Sequence, residues 1–147
     1  MAEKSKLHLQ VITPSGVKID DMVDMVIFRC TTGAMGILPG HEARSAALGF
    51  GVMRILGGVA ENERWLAVFG GMASISGDKL TVMTGEAEWP KDVDAVHAQT
   101  EREHYEQQLQ EHVDDLEILR DQALLWRALV RLELSAYPHV EGSGTDA

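Results

Sequence analysis

Cysteine occurs only once in this 147-residue chain, at Cys30. A single thiol excludes an internal disulfide, and the lack of any Cys-x-x-Cys excludes a structural zinc framework, so a reducing compartment is the default. Aromatic residues are scarce, 5% against 45% apolar overall, so the core must be built from Val, Leu, Ile, Met and Ala. No apolar run approaches the roughly 20 residues that span a bilayer, and Met1-Ala2-Glu3-Lys4-Ser5-Lys6 leads into alternating residues instead of a signal-peptide core. The chain reads as soluble and cytoplasmic. Positive charge is short as well: 13 Lys and Arg against 23 Asp and Glu leave a net charge of −10. That balance excludes nucleic acid as a partner and excludes electrostatic docking on an anionic membrane. A GxSxG elbow, a P-loop, GxGxxG and HExxH are all missing, which argues against an enzyme.

From Leu7 to Thr84 the pattern has period two: Leu7, Leu9 and Val11 alternate with His8 and Gln10, and Leu80 and Val82 with Thr81 and Met83. Strands are expected at Leu7–Thr13, Val17–Ile19, Val23–Cys30, Val52–Leu56, Trp65–Phe69, Met72–Ser76 and Lys79–Thr84, with Gly77-Asp78 as a two-residue hairpin turn. Such short, evenly spaced strands predict an antiparallel β-sandwich over residues 1–88.

After Trp89-Pro90 no glycine occurs until Gly142, and the period changes to that of a helix. Leu116, Leu119, Ala123, Trp126, Val130, Leu134 and Tyr137 recur at steps of three and four as one apolar stripe, widened by Leu125, Leu129 and Leu132. An earlier helix over about Val93 to His112 holds the polar stretch Gln99–His104 and only a late stripe of Tyr105, Leu109 and Val113, so it should be more exposed. Asp114 as N-cap, with Glu117 reaching back, marks a new helix start. The fold class is therefore α+β, the sandwich being followed by an antiparallel two-helix hairpin over 89–140; residues 141–147 have nothing to bury and are expected to be disordered.

Three constellations could carry chemistry. Cys30 with His41 could form a thiolate–imidazole pair, but Cys30 closes an apolar strand and reads as core. His97, Glu101 and His104 share a helical face at metal-ligand spacing, yet the second helix supplies no histidine to complete a site, so a solvated polar face is favoured. Arg120, Arg127 and Arg131 form a positive strip on the second helix, suited to intrahelical pairing or to an acidic partner.

The stretch Gly33-Ala34-Met35-Gly36-Ile37-Leu38-Pro39-Gly40-His41 reads as a shaped loop, its glycines and Pro39 setting a bend that places His41. Together with Leu48-Gly49-Phe50-Gly51-Val52-Met53-Arg54-Ile55 and Val68-Phe69-Gly70-Gly71, it resembles the epsilon subunit of F-type ATP synthases, a resemblance that runs from Leu7 through Tyr137. It implies a non-catalytic rotor subunit, peripheral on the cytoplasmic face of the cell membrane and touching it only through the c-ring. The sandwich would pack on the gamma subunit and the c-ring, with Ala34, Met35, Pro39 and His41 as contact residues. The hairpin would lie folded or extend toward the alpha/beta catalytic head and restrain hydrolysis.

Some members of that family bind ATP through an I/L-D-x-x-R-A motif. The corresponding residues here are Val93-Asp94-Ala95-Val96-His97-Ala98, with Glu88, Asp94, Arg127 and Arg131 at the ligand positions. His97 replaces the motif's arginine and lacks its forked donors, so weak or absent ATP binding is expected. Glu42-Ala43-Arg44-Ser45 also departs from the family's apolar-flanked proline. An alternative is a free-standing β-sandwich binding module whose Trp126 stripe dimerises the hairpin.

Overall fold

The computed structural model describes residues 5–58, 63–111 and 113–138; the expected tail 141–147 and the expected helix end at His112 lie outside them. Eight strands, β1 (Leu7–Thr13), β2 (Gly16–Val23), β3 (Met25–Cys30), β4 (Gly33–Ile37), β5 (His41–Leu56), β6 (Arg64–Gly77), β7 (Lys79–Met83) and β8 (Ala87–Glu88), precede two helices, α1 (Ala95–Glu111) and α2 (Asp115–Ser135). A β-sandwich followed by a helical hairpin is thus the observed architecture.

The strands form one sheet in the order β2-β1-β7-β6-β5-β3-β4, with β8 beside β6. At 16 and 14 residues, β5 and β6 are too long to stay in one flat layer, and they bend together. Leu66 and Val68 point inward before the bend, Ala73 and Ile75 after it, so the inward set changes parity. The change falls at Gly70 and Gly71, whose φ angles of 80° and 116° glycine tolerates and other residues rarely do. The later part of β6 pairs with β7, and the earlier part with β8, while β3 pairs with the end of β5. The sheet therefore folds over on itself as two layers sharing β5 and β6. Between them lie Leu7, Leu9, Val26, Ile55, Leu66, Leu80 and Trp89, all fully buried.

Several expectations are corrected. Gly33–Ile37 is not loop but β4, paired antiparallel with β3 from Cys30↔Gly33 to Val26↔Ile37; only Leu38–Gly40 forms a turn. Val23–Cys30 divides at Asp24, whose N–H donates to the Leu56 carbonyl at 2.8 Å. β2 extends past Ile19 to Val23, because the inward Asp21 is matched by the buried Arg64, 2.9 Å away. β5 begins at His41 and not at Val52, and Trp65–Phe69 and Met72–Ser76 are one strand. The sheet is mixed, since β1 and β7 run parallel. The Gly77-Asp78 turn is as expected, with Ser76 opposite Lys79.

Asp114 caps α2 by accepting from the Leu116 N–H at 2.9 Å. In α1 only Ala98 is buried. The α2 stripe is used in part: Val130 and Leu134 pack with Ala67 and Phe69 on the sandwich, whereas Leu116, Leu119 and Trp126 are 77%, 62% and 62% exposed. The helix meets β5 and β6 only toward its C-terminal end. No helix among the described residues is long and apolar enough to cross a membrane.

Candidate functional site

The sequence-predicted ligands Glu88, Arg127 and Arg131 come together where α2 crosses the sandwich. Register explains Glu88: β8 pairs Glu88 with Ala67, and registered partners share a face, so its carboxylate points outward beside Phe69 and toward α2. Steps of four put Arg127 and Arg131 on one helical face. Arg131 Nε donates to Glu88 Oε1 at 2.7 Å, its Nη2 to Glu86 Oε1 at 3.4 Å, and its Nη1 lies 3.8 Å from Glu101 on α1. Arg127 pairs with Glu86. Both guanidinium groups lie near the Phe69 ring, 4.6 and 5.3 Å from its centroid, at cation–π distance. The bond to Glu88, reinforced by the three nearby carboxylates, makes Arg131 hold its proton more tightly than an ordinary guanidinium. It therefore stays charged at every pH the protein meets.

Asp94 is not among these groups. Its carboxylate accepts from the His97 N–H at 3.0 Å and caps α1, and the exposed His97 ring pairs with Glu101 at 3.2 Å. Glu86 and Phe69 are not expected from sequence, and Glu101, expected only on a metal-spaced face with His97 and His104, stands beside Arg131 instead. The alternation Glu86-Ala87-Glu88 around an inward Ala87 was the available signal for the first. No cluster of three metal-ligating side chains occurs among the described residues.

Cys30 and His41 do not meet in a catalytic pair. The Cys30 thiol donates to the Gly33 carbonyl at 3.0 Å and contacts the Thr32 hydroxyl, which draws its pKa below the ordinary thiol value. His41 Nδ1 donates to the Glu42 carbonyl. The contact residues expected from the glycine-rich stretch separate along β4. Ala34 faces outward into a cleft of about 790 Å³ beneath Trp126, Met35 packs inward against the core, and Pro39 and His41 lie at the other end, where Gly40 donates to the Gly77 carbonyl.

The layer facing away from the helices carries a second feature. Val17↔Ile12, Ile12↔Met83, Met83↔Met72 and Met72↔Ala47 are successive registered pairs, so five side chains line up across β2, β1, β7, β6 and β5. Val17, Met72 and Met83 are 47%, 44% and 51% exposed, an apolar row about 19 Å long at strand spacing. Of the next outward rows, Gln10 with Asp20 and Thr81 is polar, and His8 with Lys79 is polar except for the exposed Met22 opposite His8 on β2.

Two outer faces, one covered by a latched hairpin and the other bare and apolar, fit a protein that works inside an assembly. A sequence profile of the ATP synthase delta/epsilon chain, beta-sandwich domain, matches residues 6–90. The chain belongs to this family. It is 35% identical over 135 residues to the ATP synthase epsilon chain of Syntrophobacter fumaroxidans, covering 92% of this chain and 98% of that one. It is 32% identical over 130 residues to the epsilon chain of Caldicellulosiruptor saccharolyticus, covering 88% and 93%. The fold is shared with a chain in the Euglena gracilis mitochondrial ATP synthase structure containing OSCP, F1 and the c-ring, at a TM-score of 0.80 and 18% identity over 93% of this chain and 85% of that one. The epsilon family thus accounts for both parts of the chain, sandwich and hairpin.

Proposed function

We propose that this epsilon-family chain is a non-catalytic central-stalk subunit of an F-type ATP synthase, peripheral to the membrane, with residues 1–88 as the coupling part and 89–140 as the regulatory part. Its sandwich transmits rotation between the c-ring and the gamma subunit, and its hairpin restrains hydrolysis. The carrying observation is the opposition of the two outer faces: a rotor coupling must keep its grip while the hairpin moves, and the apolar row stays available whichever position the hairpin takes. The row seats gamma, because methionines adapt to an irregular partner surface and a second copy at net charge −10 is repelled. Pro39 and His41, at the turn beside Gly77, face the c-ring side, with Met35 anchoring β4 from within, whereas Ala34 lies at the opposite end of the strand in the cleft under the hairpin.

Co-purification with gamma tests the seat. Met72→Lys with Met83→Glu keeps a favourable cross-strand pair while placing charge in the row. Gamma binding should fall by at least about tenfold, the equivalent of about 1.4 kcal/mol, with the urea midpoint of the isolated chain unchanged. Undiminished binding contradicts the placement, and a stable homodimer by light scattering favours the free-standing module instead.

In the reconstituted synthase, deletion of residues 93–147 should raise the ATPase rate by no more than about twofold, a barrier change of under about 0.5 kcal/mol. The second helix carries few basic groups with which to hold acidic segments of the catalytic head. A several-fold rise would overturn that expectation.

A further inference from the structure

Two charged side chains line the cleft under Trp126, Arg29 and Glu133, and neither has a hydrogen bond or ion pair among the described residues. An arginine without a carboxylate stands out in a chain whose acids outnumber its bases and whose net charge is −10. Gly51 makes room for it: a Cβ there would stand 3.3 Å from Arg29 Cβ and 3.6 Å from its Cδ, so the aliphatic stem lies across the glycine on β5. The cleft itself, about 790 Å³, falls in the range of small-molecule sites, and Phe50, Trp126, Leu129 and Val130 give it apolar walls. Packing fixes part of those walls, because the Phe50 ring stands edge-on against Phe69 at 5.8 Å and Val130 is buried in the same cluster. Trp126 stays 62% exposed, an indole with no apolar partner covering it.

We propose that this cleft binds a small aromatic monocarboxylate, its acid group on Arg29 and its ring between Trp126 and Phe50. The guanidinium fork matches both oxygens of a carboxylate, and a flat apolar body gains more against an indole and a phenyl ring than a flexible chain does. Glu133 sets the charge limit. It is the one carboxylate among the described residues that line the cleft, about 10 Å along α2 from Trp126, and it repels any second negative charge. A monoanion is therefore favoured over a phosphate dianion. Arg127 and Arg131 do not line the cleft, so the site is separate from the ionic cluster at Glu86 and Glu88. It needs only the folded chain and stands apart from the stalk reading.

Titration of the full, isotope-labelled chain with naphthoate, followed by NMR, tests it against naphthylmethanol, a neutral compound of the same shape. The Trp126 indole N–H and the Gly49 and Gly51 amides should shift together, while the Trp89 indole, fully buried in the sandwich, stays in place. Saturation should give a dissociation constant on the order of 1 mM, as expected for about a dozen non-hydrogen atoms at ordinary ligand efficiency. Naphthylmethanol should bind at least about fivefold more weakly, the share of the charge-assisted pair. Arg29→Gln should erase that preference, and Arg29→Lys, which keeps the charge and loses the fork, should restore only part of it. Glu133→Gln should tighten naphthoate about twofold and leave naphthylmethanol unchanged. An unmoved Trp89 signal in each variant shows that the sandwich is intact. Equal affinity of acid and alcohol for the parent chain, shifts away from the cleft, or no saturation below about 10 mM overturns the proposal.

Discussion

Arg131→Ala should release α2 from the sandwich while leaving the sandwich folded. The side chain is 20% exposed, as is Glu88, so the pair lies between a surface ion pair and a buried one. Surface pairs contribute about 0.5 kcal/mol, whereas stripping one partner from a buried pair costs about 4, and an intermediate cost on the order of 2 kcal/mol follows. At 1.4 kcal/mol per decade that is a drop of roughly 30-fold in docking equilibrium. Release is opposed by the apolar contacts of Val130 and Leu134 with Ala67, Phe69, Phe50 and Val52, and by Trp65 stacked on Tyr137 at 4.8 Å between ring centroids, so the loss of the latch shifts the docking equilibrium and does not abolish docking. Hydrogen exchange should show protection lost at Ala128–Ser135 and retained at Leu7–Val11. Arg127→Ala should do less, since Arg127 pairs with the more exposed Glu86 while Arg131 reaches Glu86, Glu88 and Glu101. Alkali is a poor substitute for the mutation. A group whose pKa is raised on folding contributes stability below its unfolded value and loses it only as pH rises through the folded one, and for Arg131 both lie in the guanidinium range. Unchanged protection in Arg131→Ala would remove the ionic latch from the account.

The two-part plan of the chain was legible because each part keeps one period. The helix boundary at Asp114 was legible too, since a cap is local chemistry. What stayed hidden depends on contacts between segments distant in sequence. β4 is written in Gly33, Ala34 and Gly36, with too few branched side chains to show a period of two, and becomes a strand only because β3 presents a matching register. The first half of β5, Glu42-Ala43-Arg44-Ser45, is exposed at a sheet margin and so carries no inward alternation to detect. At the latch, Arg127, Arg131 and Glu88 could be singled out by spacing and resemblance, but Asp94 could not be told from a helix cap. Glu86 and Glu101 acquire meaning only once α1, α2 and β8 converge. Half of the apolar stripe on α2 was misread for a related reason: periodicity marks a face able to bury and does not say how much of its length has something to lie on.

The other large effect is expected at the bend. Gly71→Val should unfold or nearly unfold the sandwich, whereas Gly77→Ala should cost only about 1 kcal/mol, the ordinary penalty for a Cβ at positive φ. At Gly77, φ is 62° and nothing lies within 4 Å of a Cβ, so backbone preference is the whole cost. At Gly71, φ is 116°, a region side chains rarely adopt, and a Cβ would fall 2.0 Å from the Met83 carbonyl oxygen and 2.9 Å from the Thr84 Cα. Those are backbone atoms of the adjoining β7 and the residue after it, so no rotamer change can make room. Relief would require pulling β6 away from β7 where Met72 and Met83 pair, which also disturbs the parity change that lets one strand serve two layers. A loss of more than about 4 kcal/mol, the exceptional end of single-substitution effects, is the expectation. Urea unfolding of the two variants side by side measures it. If Gly71→Val shifts the midpoint no further than Gly77→Ala does, the bend is not held by the close approach of these two segments.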